Sequence, residues 1–362
     1  MLGVLASSAH ASVECGDVVT ANVRLNHDLS CVGEGLVVGA DGVAINLGGH
    51  TLEGVGDGAG IDNTAGHDGV GVRNGSISGF DVGVALTNAD RNVLADLSLR
   101  RKRQSGIGIN LDNSDANRVV RVSVGGGDPA LRLTDSDFNR IRTSEFRGGV
   151  SMRQGDAVEL GSGSDRNRIL DSNIRGVAGG FLITDSDHNV VRGSTALTYG
   201  GNGVYRAERT VIDRNSLSSM GVFASRTTIR YNVLLGGNSN GLSLAGDRNR
   251  VIGNNIRSGL DSGITVGAGW ANLIKDNLVE AGFDDRIVVN AGAQRSRVLG
   301  NTVSGGGEDG IDVEAPGTIL GWNRAENNQD LGIEAVDGVI DWGGNRASGN
   351  GNPLQCVGVR CS

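Results

Sequence analysis

Arg132, Glu159 and Tyr205 are the residues of this 362-residue chain whose chemistry and spacing best suit a reaction on a sugar acid. An arginine pairs well with a carboxylate, and a glutamate beside it can remove a proton from the neighbouring carbon. A tyrosine further along can stack on an adjoining sugar or act as a remote base. We therefore take Arg132, Glu159 and Tyr205 as candidate catalytic residues for β-elimination or C5 epimerisation.

Four other residues are candidates for binding the same polymer. Asn110 offers an amide, and Phe223 offers a ring that can stack on a sugar face. Arg101 and Arg103 belong to LRRKRQ (99–104), the only basic run, which would attract an acidic polysaccharide. The alternative is a solvated loop and a strand surface with incidental rings.

Asp312 and Glu334 form a rival acidic pair. Two carboxyl groups about 5 Å apart suit a retaining glycosidase. With Glu308, Asp309 and Glu314 nearby, the same pair could bind Ca²⁺ through oxygen ligands. We take Asp312 and Glu334 as candidate Ca²⁺ ligands, with a plain acidic surface as the alternative. No other cofactor is indicated.

These side chains can meet only if a repeat places them on one face. One polar position recurs at intervals in the low twenties, which is typical of a solenoid. A second asparagine column follows five residues later, at Asn215, Asn232, Asn254, Asn277, Asn301, Asn323 and Asn345. The first column consists of Asn92, Asn117, Asn139, Asn167, Asn189, Thr210, Thr227, Asn249, Asn272, Ser296 and Thr318.

Between these columns, apolar and polar residues alternate, as in GIGINL (106–111) and GITV (263–266). Alternation with period two predicts short strands, and stacked strands predict an all-β solenoid of roughly a dozen coils, each rising about 4.8 Å. Inward asparagines should hydrogen-bond between coils. The predicted outward column is Ala85, Asn110, Arg132, Glu159, Leu182, Tyr205, Phe223, Ser243, Thr265, Val288, Asp312 and Glu334.

A further outward column carries arginines, including Arg192 and Arg230. Stacked arginines repel unless they are paired. We expect the aspartates of the neighbouring Ser-Asp corners to pair with them.

The four cysteines lie only at the ends of the chain, which favours two local disulfides, Cys15 with Cys31 and Cys356 with Cys361. Such bridges would staple the ends of the solenoid and indicate secretion. Ala9-His10-Ala11 resembles a cleavage site, so we expect residues 1–11 to be the remnant of a signal peptide and 12–362 to be one domain. An ordinary N-terminal segment is the alternative.

Net charge and hydropathy limit the kinds of partner that we expect this protein to bind. A net charge of −8 argues against a nucleic acid held by bulk positive charge. No apolar stretch is long enough to span a bilayer. We therefore expect a secreted, extracellular monomer.

The stretch VVGADGVAINLGGHTLEG (37–54) is similar to the opening coil of many secreted bacterial members of the right-handed parallel β-helix, pectate-lyase-like superfamily. The resemblance implies a single-stranded right-handed β-helix with substrate along an outward strand face. Polygalacturonase-type motifs such as Gly-His-Gly are missing, and the superfamily contains enzymes, adhesins and inert repeats. The function we predict is acting on or binding an acidic polysaccharide, as a lyase or C5-epimerase if it is an enzyme. The alternative is a non-catalytic cell-surface or matrix protein.

Overall fold

The computed structural model describes residues 13–100, 106–148, 155–237, 240–257, 261–280 and 282–362. Within these ranges all strands pair in parallel with the equivalent strands of the neighbouring coils, and no helix occurs. In particular, the described residues contain no helix long and apolar enough to cross a membrane. The fold is an all-β parallel solenoid, as predicted.

Sheet 1 runs the length of the rod and has sixteen strands, so the coils outnumber the dozen counted from the sequence. Its strands are Val18–Val19, Leu36–Val38, Ala59–Asn63, Val82–Thr87, Ile107–Asp112, Leu131–Thr134, Asp156–Gly161, Gly179–Thr184, Asn202–Glu208, Met220–Ser225, Leu242–Ala245, Ile264–Trp270, Ile287–Gln294, Ile311–Val313, Ile333–Ala335 and Cys356–Val357.

Two further stacks, sheets 2 and 3, close each coil, and three long strands, Gly71–Ser78, Val93–Arg100 and Arg118–Gly125, pass through both. The other strands of sheet 2 are Val23–Arg24, Ala44–Asn46, Arg140–Arg142, Arg168–Leu170, Val190–Arg192, Val211–Asp213, Thr228–Arg230, Arg250–Ile252, Leu273–Lys275, Arg297–Leu299, Ile319–Gly321 and Ile340–Asp341. The other strands of sheet 3 are Leu29–Cys31, Thr51–Gly54, Glu145–Arg147, Asn173–Arg175, Thr195–Ala196, Ser216–Leu217, Val233–Leu234, Asn255–Arg257, Leu278–Glu280, Thr302–Ser304, Arg324–Glu326 and Arg346–Ser348.

The core is a set of stacked aliphatic columns. In the inner coils, two inward residues of a sheet 1 strand are buried and the residue between them points outward, as in Leu131–Thr134. Burying one such side chain stabilises the fold by roughly 1.5–3 kcal/mol relative to exposure. Across three neighbouring coils the inward residues are Leu131 and Leu133, Val158 and Leu160, and Phe181 and Ile183.

Both asparagine columns form hydrogen-bonded ladders at the corners, as the sequence predicts. The backbone N–H of Asn117 donates to Oδ1 of Asn139 at 2.8 Å, and Asn139 donates to Asn167 in the same way at 2.8 Å. In the second ladder, Asn232 donates from its backbone N–H to Oδ1 of Asn254 at 2.9 Å. These contacts satisfy corner groups that are buried away from water.

The prediction for the Ser-Asp corners is wrong. Oδ1 of Asp115 accepts the backbone N–H of Asp137 at 2.7 Å, and Oδ1 of Asp137 accepts that of Asp165 at 2.7 Å. These aspartates hold the backbone of the next coil, because their short side chains lie along the stacking direction. Arg192 and Arg230 pair instead with Asp213.

The disulfides join Cys15 to Cys31 and Cys356 to Cys361, which confirms the predicted local pairing. They close the first and last coils, where the strands of a solenoid would otherwise present open edges. The expected signal-peptide remnant, residues 1–11, lies outside the described residues.

Candidate functional site

Arg132 and Glu159 are direct neighbours across sheet 1. Nε of Arg132 lies 3.1 Å from Oε2 of Glu159, and the two side chains are 37% and 25% exposed. Both strands keep an unbroken alternation of inward leucine or valine with outward polar residues, which fixes this register. The sequence therefore places the pair correctly.

A shallow depression of about 110 Å³ surrounds the pair. Arg132 and Glu159 line it together with Leu182, Thr134 and Thr184. Asn110 is the register neighbour of Arg132 on the preceding coil and is partly exposed. Arg101 and Arg103, the other predicted binding residues, lie outside the described residues.

Tyr205 and Phe223 are not in the Arg132–Glu159 column, contrary to the sequence prediction. The register pairs Leu182 with Gly203, so Tyr205 is aligned with Thr184, one outward position further along the strand. The reason is Asn202, a buried polar residue in the column where the neighbouring coils carry aliphatic or aromatic residues. A polar residue such as Asn202 is not expected to face inward, so the alternation inferred from the sequence begins at the next apolar residue, Val204. The predicted outward position is therefore two residues too far along the strand.

The two rings nevertheless continue the same surface. Tyr205 and Phe223 stack with centroids 5.3 Å apart and planes 4° from parallel. Tyr205 lies over Gly203, where any side chain would collide with its ring, and its hydroxyl lies close over Gly221. Glycine at both positions leaves room for the rings beside Leu182, which lines the polar depression.

Asp156 is a site residue that the sequence did not indicate. Its pKa is raised to about 6, first by burial and second by the negative charge of Glu159. Its carboxyl lies over Gly179, and a side chain there would collide with Oδ1. Asp128 contributes another carboxyl on the same side, where its Oδ1 accepts the N–H of Gly155 at 2.6 Å. The ion pair of Arg132 and Glu159 on the exposed face of sheet 1 therefore has a further carboxyl, that of Asp156, within electrostatic reach of Glu159.

The alternation rule did not indicate Asp156, because this residue is the first of its strand, where the corner ends, and has the same parity as inward Val158. Side-chain direction at a corner depends on the turn and not on the period of two. The feature of the sequence that could have indicated Asp156 is its position three residues before Glu159, in DAVEL (156–160).

The second acidic group forms near the C-terminal end. Asp312 and Glu334 are register neighbours, as predicted. Burial is the first cause of a pKa near 7 for Asp309 and near 6 for Asp285 and Asp312, and neighbouring carboxylates add to it. Oδ1 of Asp309 accepts the N–H of Leu331 at 2.7 Å.

Two family models match the chain. One, described as a right handed beta helix region, matches residues 221–361. The other, described as periplasmic copper-binding protein (NosD), matches residues 61–222 and 151–281, which together exceed half of the chain. The chain belongs to the right-handed parallel β-helix proteins. The resemblance inferred from the opening coil is confirmed.

Solved β-helix structures show the same fold at low identity. DFA-IIIase from Arthrobacter chlorophenolicus A6 without its lid has a TM-score of 0.53 and 14% identity, over 76% of this chain and 84% of that one. The same protein in complex with GF2 has a TM-score of 0.51 and 12% identity over the same fractions, 76% and 84%. The A-module of the Azotobacter vinelandii mannuronan C-5 epimerase AlgE4 reaches only 0.42, with 14% identity and coverage of 94% and 91%. No curated protein matches this β-helix chain.

The copper named in one family description does not fit the described part of this β-helix. Copper sites use imidazole or sulfur ligands, and all four cysteines are in disulfides. Among the described residues, no group of three or more histidine, cysteine, aspartate or glutamate side chains could hold a metal ion. The Ca²⁺ predicted at Asp312 and Glu334 therefore gains no support from the geometry.

Proposed function

We propose that this protein cleaves an acidic polysaccharide by β-elimination at Arg132, Glu159 and Asp156. The observation that carries the proposal is the ion pair of Arg132 and Glu159 on an exposed strand face beside a carboxyl group of raised pKa. β-Elimination next to a sugar carboxylate needs three groups: a cation, a base and an acid. These side chains supply one of each.

Arg132 binds the carboxylate of the sugar acid and withdraws charge from the adjacent carbon. Because Arg132 holds Glu159 before substrate arrives, the incoming carboxylate competes for the guanidinium and releases Glu159. Glu159 then takes the proton from that carbon. The electron pair left behind forms a carbon–carbon double bond to the next carbon.

Asp156 completes the step. As the double bond forms, the bond from the second carbon to the glycosidic oxygen breaks, and Asp156 gives its proton to that oxygen. A pKa of about 6 keeps Asp156 partly protonated in mildly acidic solution. Tyr205 and Phe223 stack on neighbouring sugars, and Asn110, Arg101 and Arg103 add polar contacts to the polymer.

The proposed location is outside the cytoplasm, either secreted or periplasmic. Two disulfides close the ends of the rod, and such bonds persist in oxidising compartments. The acidic polysaccharides of cell surfaces and matrices are accessible there.

The test is the ultraviolet absorbance of the conjugated double bond, measured with alginate, pectate and glycosaminoglycans. We expect a rise on one polymer, a loss of about 100-fold or more in Glu159→Gln, Asp156→Asn and Arg132→Ala, and little change in Glu334→Gln, which lies far along the same column. The rate should fall as pH rises through about 6, because Asp156 then loses its proton.

Two outcomes would contradict the proposal. Proton exchange with solvent and inverted sugar configuration, detected by NMR without absorbance, would make the protein a C5-epimerase acting through the same base. Binding without any change in the polymer, unaffected by Glu159→Gln, would make it a non-catalytic surface or matrix protein.

A further inference from the structure

A shallow, open cleft of about 740 Å³ lies at the corner where the coils enter sheet 1. Its walls are Val177, Leu197, Tyr199 and Leu235, and its floor includes Thr198 and Ser218. Binding sites for small molecules and cofactors usually have this form, with apolar walls and a few placed polar groups.

The walls expose apolar surface in a contiguous group. Tyr199 is 60% exposed, Leu235 46%, Leu197 42% and Val177 37%. Such patches mark binding surfaces when they are contiguous rather than scattered. None of the described residues that line the cleft is charged, in contrast to the Arg132–Glu159 depression. The cleft therefore suits an uncharged ligand with an apolar face.

The floor is held by a buried polar network. The hydroxyls of Thr198 and Ser218 lie 3.1 Å apart. Asn202 is 5% exposed, and its Nδ2 donates to Oγ of Ser218 at 3.3 Å. Asn202 stands in an inward column where the next coil carries Met220, and a buried amide there is costly unless it is hydrogen-bonded. Asn202 therefore fixes the hydroxyl of Ser218, and the hydroxyl of Thr198 is fixed by Ser218 and by the carbonyl of Gly201, to which it donates at 3.0 Å.

The cleft adjoins the proposed reaction centre. The carboxyl of Asp156 lies over Gly179, directly after the Gly176–Val177 edge of the cleft. Gly176 itself packs over Ala157, the residue that follows Asp156. A polymer that runs along the rod from Asp156 therefore enters the cleft within about one coil rise, or roughly 5 Å.

We propose that this cleft is a binding subsite for an uncharged sugar residue of the polymer, stacked on Tyr199 with its hydroxyls toward Thr198 and Ser218. The substrate then carries neutral sugars between its acidic ones. This inference rests on the proposed function, because it places the cleaved bond beside Asp156.

The experiment compares mixed polymers, hyaluronan and gellan, with all-acid polymers, alginate and polygalacturonate. Binding of oligosaccharides is measured by calorimetry in the Glu159→Gln background, so that the readout does not depend on turnover. We expect mixed oligosaccharides to bind, Tyr199→Ala to weaken their binding about tenfold, and Tyr199→Phe to retain it. In the active protein, Tyr199→Ala should raise KM with little change in kcat.

Tyr231→Ala is the matched control. Tyr231 is also an exposed tyrosine, at 52%, but packs under Arg214 on another face. Equal binding of mixed oligosaccharides by Tyr199→Ala and Tyr231→Ala would overturn the subsite, as would binding restricted to all-acid polymers. If the protein cleaved no polymer but bound mixed oligosaccharides in a way that depends on Tyr199, the lyase proposal would be overturned and the subsite would be retained.

Discussion

At the scale of single residues, Asp213 neutralises more positive side chains than any residue that we singled out from the sequence. Its side chain is fully buried, and three arginines approach it: Arg192 at 2.8 Å, Arg214 at 3.1 Å and Arg230 at 3.3 Å. These arginines belong to neighbouring coils or corners, and without a counter-charge they would repel one another. Asp213 therefore ties successive coils together.

Asp213→Asn should lower the free energy of unfolding by about 2 kcal/mol, because it removes charge-assisted hydrogen bonds and leaves three arginines unbalanced. Denaturant unfolding would measure the loss. The control is Asp171→Asn, whose carboxyl is 55% exposed and, within the described part of the chain, forms an ion pair with Arg142 only, at 3.3 Å. Exposed pairs contribute about 0–1 kcal/mol, so an equal loss in both variants would refute a special role for Asp213.

The candidate site was predictable wherever the alternation of strand residues is regular. Arg132 and Glu159 lie side by side because leucines and valines flank them without interruption. Tyr205 was misplaced because Asn202 is inward-facing despite being polar. The acidity of Asp156 could not be predicted, because it depends on burial at a corner and on the position of Glu159 in three dimensions.

At the scale of elements, the asparagine ladders were predictable because each coil repeats the same residue against itself. Their hydrogen bonding is uneven, which the sequence does not reveal. Oδ1 of Asn254 accepts the N–H of Asn232 at 2.9 Å, and its Nδ2 donates to the carbonyl of Ile229 at 3.0 Å. In contrast, the buried hydroxyl of Thr227, in the other ladder, has no hydrogen-bond partner among the residues that the structure describes.

Replacing Asn254 by leucine should cost about 3 kcal/mol or more, because it leaves a buried N–H and a buried carbonyl without partners. Thr227→Val should change the free energy of unfolding by less than about 1 kcal/mol, because it removes a hydroxyl that bonds to nothing in the described structure. Thermal unfolding of both variants measures the difference. A larger loss for Thr227→Val than for Asn254→Leu would show that column position, and not hydrogen bonding, sets the cost.

At the scale of the whole molecule, charge is distributed unevenly along the rod. Asp285, Asp309 and Asp312 gather near the C-terminal end, and burial raises the pKa of each. The nearby carboxylates, including Glu334, raise them further. The folded state therefore holds protons there that the unfolded chain has released in neutral solution.

A raised pKa makes stability depend on pH with a known sign. A carboxyl with a folded-state pKa near 7 and an ordinary unfolded value binds more protons when folded, so its contribution is complete in acid and is lost as pH rises toward 7. Between pH 5 and 8 we therefore expect the melting temperature to fall as pH rises. The loss from Asp309 is roughly 1 kcal/mol per pH unit between pH 5 and 7 and levels off above its pKa.

Asp309→Asn isolates this effect, because the amide oxygen can still accept the N–H of Leu331 while the titrating proton is removed. The melting temperature of the variant should be close to that of the wild type at pH 5 and higher than that of the wild type at pH 8. Between these values it should fall less steeply with pH than the melting temperature of the wild type. Asp96→Asn is the control, since Asp96 is exposed and hydrogen-bonded to Arg121, which lowers its pKa and moves its titration below this window. If the melting temperature of Asp309→Asn fell with pH as steeply as that of the wild type and Asp96→Asn, Asp309 would not be the source of the pH dependence.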